Sequence, residues 1–219
     1  MNGTRIALVG LVAACMWAAW PKREVVFDTH RATRQFVIRS TLARFDDAIV
    51  VLGDSIVEAS TLPRSLCGHP IVNAGIGGAS TASHLGGLLS ESLGGKQTAL
   101  VVVSLGTNDA AIPNSIESYR SNYRALLVDL AALTPRIAIA AIPLPEAGLE
   151  EAKKVSAAVI ESYNAILPKL AKETGATFIP LPAMPERHTL DGIHLNAGGY
   201  EIWDRAILHG IEAALCKSA

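Results

Sequence analysis

The stretch Ala48-Ile49-Val50-Val51-Leu52-Gly53-Asp54-Ser55 decides the fold. Five apolar residues follow one another without a polar alternate, the pattern of a strand covered on both faces. The run then breaks on a glycine into two small polar residues of the kind that open a helix. A buried strand feeding a helix is the start of a βα unit, and the pattern recurs. Strands are expected over residues 48–52, 70–73, 100–105, 136–142 and 176–179, each a short Val-, Ile-, Leu- or Ala-rich run. The segments between them are long enough for crossover helices, clearest over residues 115–133 and 150–173 by apolar spacing at three and four. A last helix should begin at the N-cap Asn196 and run to about residue 216. The expected architecture is therefore α/β: a three-layer αβα sandwich on a five-stranded parallel sheet.

Upstream of this core, residues 23–46 are charged, contain neither Gly nor Pro, and read as a helical connector. Residues 1–22 hold an uncharged run, 6–20, which as a helix is about 22 Å long against a hydrocarbon core of about 30 Å. That is short for a span and suits the core of a signal peptide. No small-x-small cleavage site precedes its end, and Trp17, Trp20, Lys22 and Arg23 resemble interfacial anchors, so an uncleaved signal anchor is expected. Val12-Ala13-Ala14-Cys15 also resembles a lipoprotein cleavage box, but the apolar residues after Cys15 argue against lipidation there. A buried helix packed on the domain is the plainer alternative. The charge after the run (Lys22, Arg23, Arg31, Arg34, Arg39) exceeds that before it and would hold the domain in the cytoplasm. A signal-like N-terminus points to export, and the extracytoplasmic (periplasmic) side is the expectation. Residues 47–219 form the one catalytic-sized domain.

The 219-residue chain carries 19 basic and 20 acidic residues, a formal charge of −1, which offers no field to gather nucleic acid. Cys15, Cys67 and Cys216 lie too far apart for the common zinc or redox spacings, so no metal and no cofactor are expected. Cys67 and Cys216 are expected as two unpaired buried thiols, with a disulfide as the alternative in an exported domain.

Four short stretches carry chemistry: Gly53-Asp54-Ser55, Asn73-Ala74-Gly75, Gly106-Thr107-Asn108-Asp109 and Asp191-Gly192-Ile193-His194. Each falls at the carboxyl end of an expected strand, where open α/β sheets bind ligands. Ser55 directly after a strand could be only a helix cap. It could equally be a hydroxyl lifted to the rim of the sheet, at a helix N-terminus that favours negative charge. A serine needs a base, and the base needs an orienting partner; His194 and Asp191, with two residues between them of which one is a glycine, offer both. The Ser55 amide, the Gly75 amide and the Asn108 side-chain amide could hold an oxyanion. Gly75, Gly77 and Gly78 could instead be a plain turn or a phosphate cradle, and Asn108-Asp109 a turn and cap. His30, His69, His84, His188 and His209 have no comparable context and read as structural.

Together the four blocks make the chain, from about residue 48 to 199, resemble the SGNH hydrolases, also called the GDSL family of esterases and lipases. The resemblance implies a flavodoxin-like sandwich and a metal-free acyl-enzyme mechanism. It implies Ser55 as nucleophile, with Asp191 and His194 completing the triad, and Ser55, Gly75 and Asn108 as the oxyanion hole. Small-molecule, lipid or glycan acyl esters are the implied substrates. The proline-rich stretches after the last two strands, with Leu144, Leu149, Leu181, Met184 and Leu190, are expected to wall a pocket for short to medium acyl groups. The same acyl-enzyme could pass its acyl group to a sugar hydroxyl instead of water, and a silent membrane-anchored binding module is the reading from a different class.

Overall fold

A computed structural model describes residues 23–111 and 115–216, with side chains described from residue 29. The apolar run 6–20, and with it the expected anchor and Cys15, lies outside the described residues. No helix of the described residues is long and apolar enough to cross a membrane. The chain divides into two compact units, 1–33 and 34–219. In the first, the Thr33 hydroxyl donates to the Thr29 carbonyl at 2.8 Å within helix α1 (Arg23–Leu42). From Arg34 onward α1 belongs to the second unit.

In that unit the chain order is β1 (Ile49–Gly53), α2 (Ser55–Glu58), β2 (Ser65–Leu66), β3 (His69–Gly75), α3 (Leu85–Leu93) and β4 (Leu100–Ser104), then α4 (Ile116–Ala131), β5 (Ile137–Ala140), α5 (Ala157–Thr174), β6 (Thr177–Ile179) and α6 (Ala197–Ile211). The strands form one sheet in the order β2-β3-β1-β4-β5-β6. From β3 to β6 every pairing is parallel. All residues of β1 and β4 are buried, as the unalternated apolar runs require.

The period of two still sorts side chains between the faces. Val50, Leu52, Val101, Val103 and Ile139 enter one core, with Ile38 and Leu42 of α1 and the apolar sides of α3, α4 and α5. Ile49, Val51, Leu100, Val102 and Ala138 enter the other, against Ile56, Val57, Trp203, Ile207 and Ile211. Each fully buried Val, Leu or Ile contributes roughly 1.5–3 kcal/mol relative to exposure, so these two interfaces hold the sheet. The result is the three-layer sandwich expected, with two differences.

First, the sheet has six strands rather than five, and it is mixed. The two residues of β2 pair antiparallel with β3, Ser65 opposite Pro70 and Leu66 opposite His69. A two-residue strand has no periodicity to read. The turn that makes it, Cys67-Gly68, has positive φ at both residues, 53° and 83°, as a tight hairpin turn demands. Second, the helix expected over 150–173 is interrupted. Residues Glu151–Lys154 form a single 3₁₀ turn, and Ser156 then starts α5 by accepting from the Val159 amide. A serine at that place bonds the backbone better as a cap than inside a helix.

The thiols also differ from expectation. Cys67, in the hairpin turn, and Cys216, in the π-helical turn Glu212–Cys216 after α6, are joined in a disulfide with their Cα atoms 5.8 Å apart. They lie 149 residues apart in sequence, so nothing local signals the pairing; the sheet edge brings them together.

From β1 the chain moves outward to β3 and then returns across β1 to β4. The connections on the two sides of β1 diverge there, and open α/β sheets bind their ligands at such a point, beyond the carboxyl ends of the strands.

Candidate active site

β1 ends on Gly53 because nothing larger fits: a Cβ there would stand 2.3 Å from Val57 Cγ2 and 2.4 Å from the Ser104 carbonyl oxygen. Asp54 follows as the N-cap of α2, its Oδ1 accepting from the Ile56 amide at 2.9 Å. Ser55 is thus the first residue of α2, just beyond the carboxyl end of β1. Its Oγ lies 3.0 Å from His194 Nε2.

His194 stands on the loop between β6 and α6, folded back at Gly192, whose φ is 109°. Its Nδ1 is 2.6 Å from Asp191 Oδ2. The other Asp191 oxygen accepts the backbone amides of Ile193 and His194 at 3.0 and 2.8 Å. Partial burial pushes the Asp191 carboxyl up, but the His194 ring and these two amides outweigh it and hold the group down at about 2. Asp191 is therefore an anion at neutral pH and fixes the Nδ1–H tautomer, leaving Nε2 to accept the Ser55 hydroxyl proton. The structure brings Ser55, His194 and Asp191 into one hydrogen-bonded line from two distant parts of the chain.

Asp54 is in the opposite condition. It is 2% exposed, and burial drives its carboxyl up to about 7 despite the Ile56 amide and the nearby His194.

The oxyanion side differs from the sequence expectation at Gly75. Its amide donates to Asn73 Oδ1 at 3.0 Å and has no hydrogen left for a substrate. Gly75 is needed for another reason, since a Cβ there would lie 2.1 Å from the Glu58 nitrogen. It lets β3 pass against the end of α2. The amides that follow are committed in turn: Ile76 to the Gly53 carbonyl at 3.0 Å and Ala79 to the Ile76 carbonyl at 3.0 Å, Gly77 to Glu58 Oε2 at 2.6 Å. Gly78, exposed and at φ 77°, has the one amide of this turn without a partner among the described residues. The Asn108 Nδ2 donates to the Ala79 carbonyl at 2.8 Å, which sets it beside Gly78 and leaves its second hydrogen over. The Ser55 amide, at the first position of α2, is likewise outside the helical bonding.

Asp109 had only the reading of a cap. Buried, it accepts the Thr81 hydroxyl at 2.5 Å and the Thr81 amide at 3.1 Å, and so clasps the glycine turn to the Asn108 loop. Burial raises its carboxyl, against the pull of those Thr81 bonds. Asn73 joins α2 to the same turn, since its Nδ2 donates to the Val57 carbonyl at 2.6 Å. The buried His188 places its ring nitrogens 2.8 Å from the Pro185 carbonyl and 3.0 Å from the Leu144 carbonyl, tying the loop after β5 to the loop after β6. His69 Nδ1 lies 2.8 Å from the Asp47 carbonyl. Neither stands among the reactive groups.

A cavity of about 830 Å³ lies between those two loops. Leu144, Leu181 and Met184 line it; Leu149, Leu190, Ser55 and His194 do not. It flanks the His194 loop through His188 and Glu146, and Glu146 Oε2 accepts both the amide and the hydroxyl of Thr189, at 2.9 and 2.8 Å. Leu190, beside Asp191, is 74% exposed.

The profile of the GDSL-like lipase/acylhydrolase family matches residues 51–202. No curated protein matches the chain. Among solved structures, a candidate platelet activating factor from Streptococcus pneumonia is 24% identical over 97% of this chain and 99% of its own, with a TM-score of 0.67. A lipase/acylhydrolase from Enterococcus faecalis is 19% identical over 76% of this chain and 95% of its own, at 0.62. A GDSL-like lipase from Bacteroides thetaiotaomicron is 22% identical over 76% of this chain and 88% of its own, at 0.59. At such identities the likeness is one of fold.

Proposed function

The chain belongs to the GDSL-like lipase/acylhydrolase family, which makes it a serine ester hydrolase, and from that premise we propose that Ser55, His194 and Asp191 form its triad. The observation that carries this reading is the line of 3.0 and 2.6 Å contacts from Ser55 Oγ through the imidazole to Asp191. Ser55 Oγ attacks the acyl carbon while His194 Nε2 takes its proton. The tetrahedral oxyanion is held by the amides of Ser55 and Gly78 and the side-chain amide of Asn108. The carbon–oxygen bond to the leaving alcohol breaks as His194 returns the proton to it. Water, deprotonated by the same nitrogen, then cleaves the Ser55 ester and releases the acid.

The substrate in this reading is a short to medium acyl ester of a small molecule, lipid or glycan. The His194 side chain is 41% exposed and opens onto the surface, and the cavity with Leu144, Leu181 and Met184 lies beside it rather than behind it. We place the enzyme on the extracytoplasmic side, tethered through residues 6–20. The Cys67–Cys216 disulfide supports that side, because such bonds persist in oxidising compartments.

The test is hydrolysis of a graded series of acyl esters by the full chain and by Ser55→Ala. The substitution is expected to lower kcat by about 10⁶-fold; equal turnover in both would sink the mechanism. A rate rising steadily to palmitoyl would sink the short-acyl reading. Labelled acyl appearing on an added glycan faster than as free acid would replace hydrolysis by transfer.

A further inference from the structure

Arg34 lies outside all four sequence blocks, on α1, yet it reaches the back of the glycine turn. Its Nε donates to the Gly75 carbonyl at 2.8 Å. Its Nη2 lies 3.3 Å from Asn73 Oδ1 and 3.4 Å from the Asn73 carbonyl. The same guanidinium pairs with Glu58 Oε1 at 3.5 Å, both side chains being about four fifths buried. The other Glu58 oxygen holds the Gly77 amide at 2.6 Å. One cation therefore fixes the carbonyl of Gly75 directly and the amide of Gly77 through Glu58.

These are the residues immediately before Gly78. Consecutive glycines rotate more freely than any other pair, so Gly77-Gly78 would not by itself aim an amide. Donors stabilise an oxyanion most when they are already aimed before charge develops. Glu58 adds a second need: a carboxylate bound to the neighbouring amide would oppose a developing negative charge unless a cation offsets it.

We propose that Arg34 is a positioning residue of the oxyanion hole: with Glu58 it sets the direction of the Gly78 amide and neutralises the carboxylate behind it. The first functional residue of the hydrolase would then lie within α1, ahead of the first strand. The inference rests on the reading of Ser55 as nucleophile and Gly78 as donor.

The experiment compares full-length wild type, Arg34→Ala, Arg34→Lys and Ser55→Ala on one short acyl ester, with thermal unfolding of each. Gln35→Ala serves as control, since among the described residues Gln35 on the same helix bonds only the exposed Glu91, at 3.1 Å. Arg34→Ala is expected to lose between about 10- and 100-fold in kcat with KM nearly constant, the size of effect a small misplacement produces. Free guanidinium ion should restore part of the loss, and Gln35→Ala should match wild type. A purely structural role predicts a loss that follows the unfolded fraction and no rescue by guanidinium; that result overturns the proposal, as does unchanged kcat. Should Arg34→Ala not fold, Arg34→Lys decides: one ammonium cannot reproduce the fork, so reduced kcat at constant KM supports the proposal and wild-type kcat overturns it. Hydrolysis that survives Ser55→Ala fails the reading beneath it and takes the inference down separately.

Discussion

Asp54 and Asp191 both stand near enough to His194 to feel its charge, yet they sit in opposite surroundings. The turn at Ser55 is dry: Asp54 is buried, takes one amide bond, and is raised to about 7. The histidine loop is half open: Asp191 takes two amides and the imidazole, and is lowered to about 2. Two carboxylates driven apart by environment take different work. In the proposed mechanism Asp191 is the anion that orients the base, whereas Asp54 caps α2 and holds Ser55 in place. Proximity to His194 alone would not have separated them.

The sharpest way to break this contrast is kinetic. Asp191→Asn should lower kcat by about 10⁴-fold, because an amide no longer fixes the tautomer. Asp54→Asn keeps an oxygen for the Ile56 amide and should stay within about 10-fold. Equal losses measured in steady state would erase the distinction. Next in size, Asn108→Ala should cost about 10²- to 10³-fold in kcat with a smaller change in KM; a loss confined to KM would remove Asn108 from the oxyanion hole.

Stability against pH sharpens the comparison further. Asp54 binds its proton more tightly folded than unfolded, so its contribution is present at low pH and lost as pH rises from about 4 through about 7. Asp54→Asn should therefore gain in melting temperature over wild type at pH 8 relative to pH 5. Asp191 has the reverse sign: its contribution is present above about pH 4 and lost as pH falls towards 2. Asp191→Asn should be less stable than wild type at pH 5, with the gap narrowing as pH falls through about 2. That effect is the smaller one, since the Asp191 side chain is 36% exposed and solvent screens it. Parallel pH curves for the two variants would mean that the surroundings do not differ as described.

The strands from β1 to β6, apart from β2, were legible because fully buried parallel strands must be apolar on both faces. The β2 hairpin was not, because its signal is the positive φ of Cys67 and Gly68 rather than a run of residues. Ser55, Asp191, His194 and Asn108 were legible as candidates because their chemistry is rare in such spacing. Gly75 and Gly78 were not distinguishable, since a glycine needed for close approach and one needed for a free amide are the same letter. Only the partners separate them: Gly75 packs on Glu58 and bonds Asn73, while Gly78 bonds nothing among the described residues. Asp109 and Arg34 were missed in function for a related reason, because each acts on a turn far along the chain through contacts that no local pattern encodes.

By itself the sequence determined the alternation of strand and helix, the candidate reactive groups, and their place at one end of the sheet. Those follow from hydrophobic period and from the few side chains able to move a proton. Which amide is free, which carboxylate is charged, and which cysteines meet were decided only by the tertiary structure. Each depends on distance and desolvation between residues tens of positions apart, and those quantities arise only once the layers have packed.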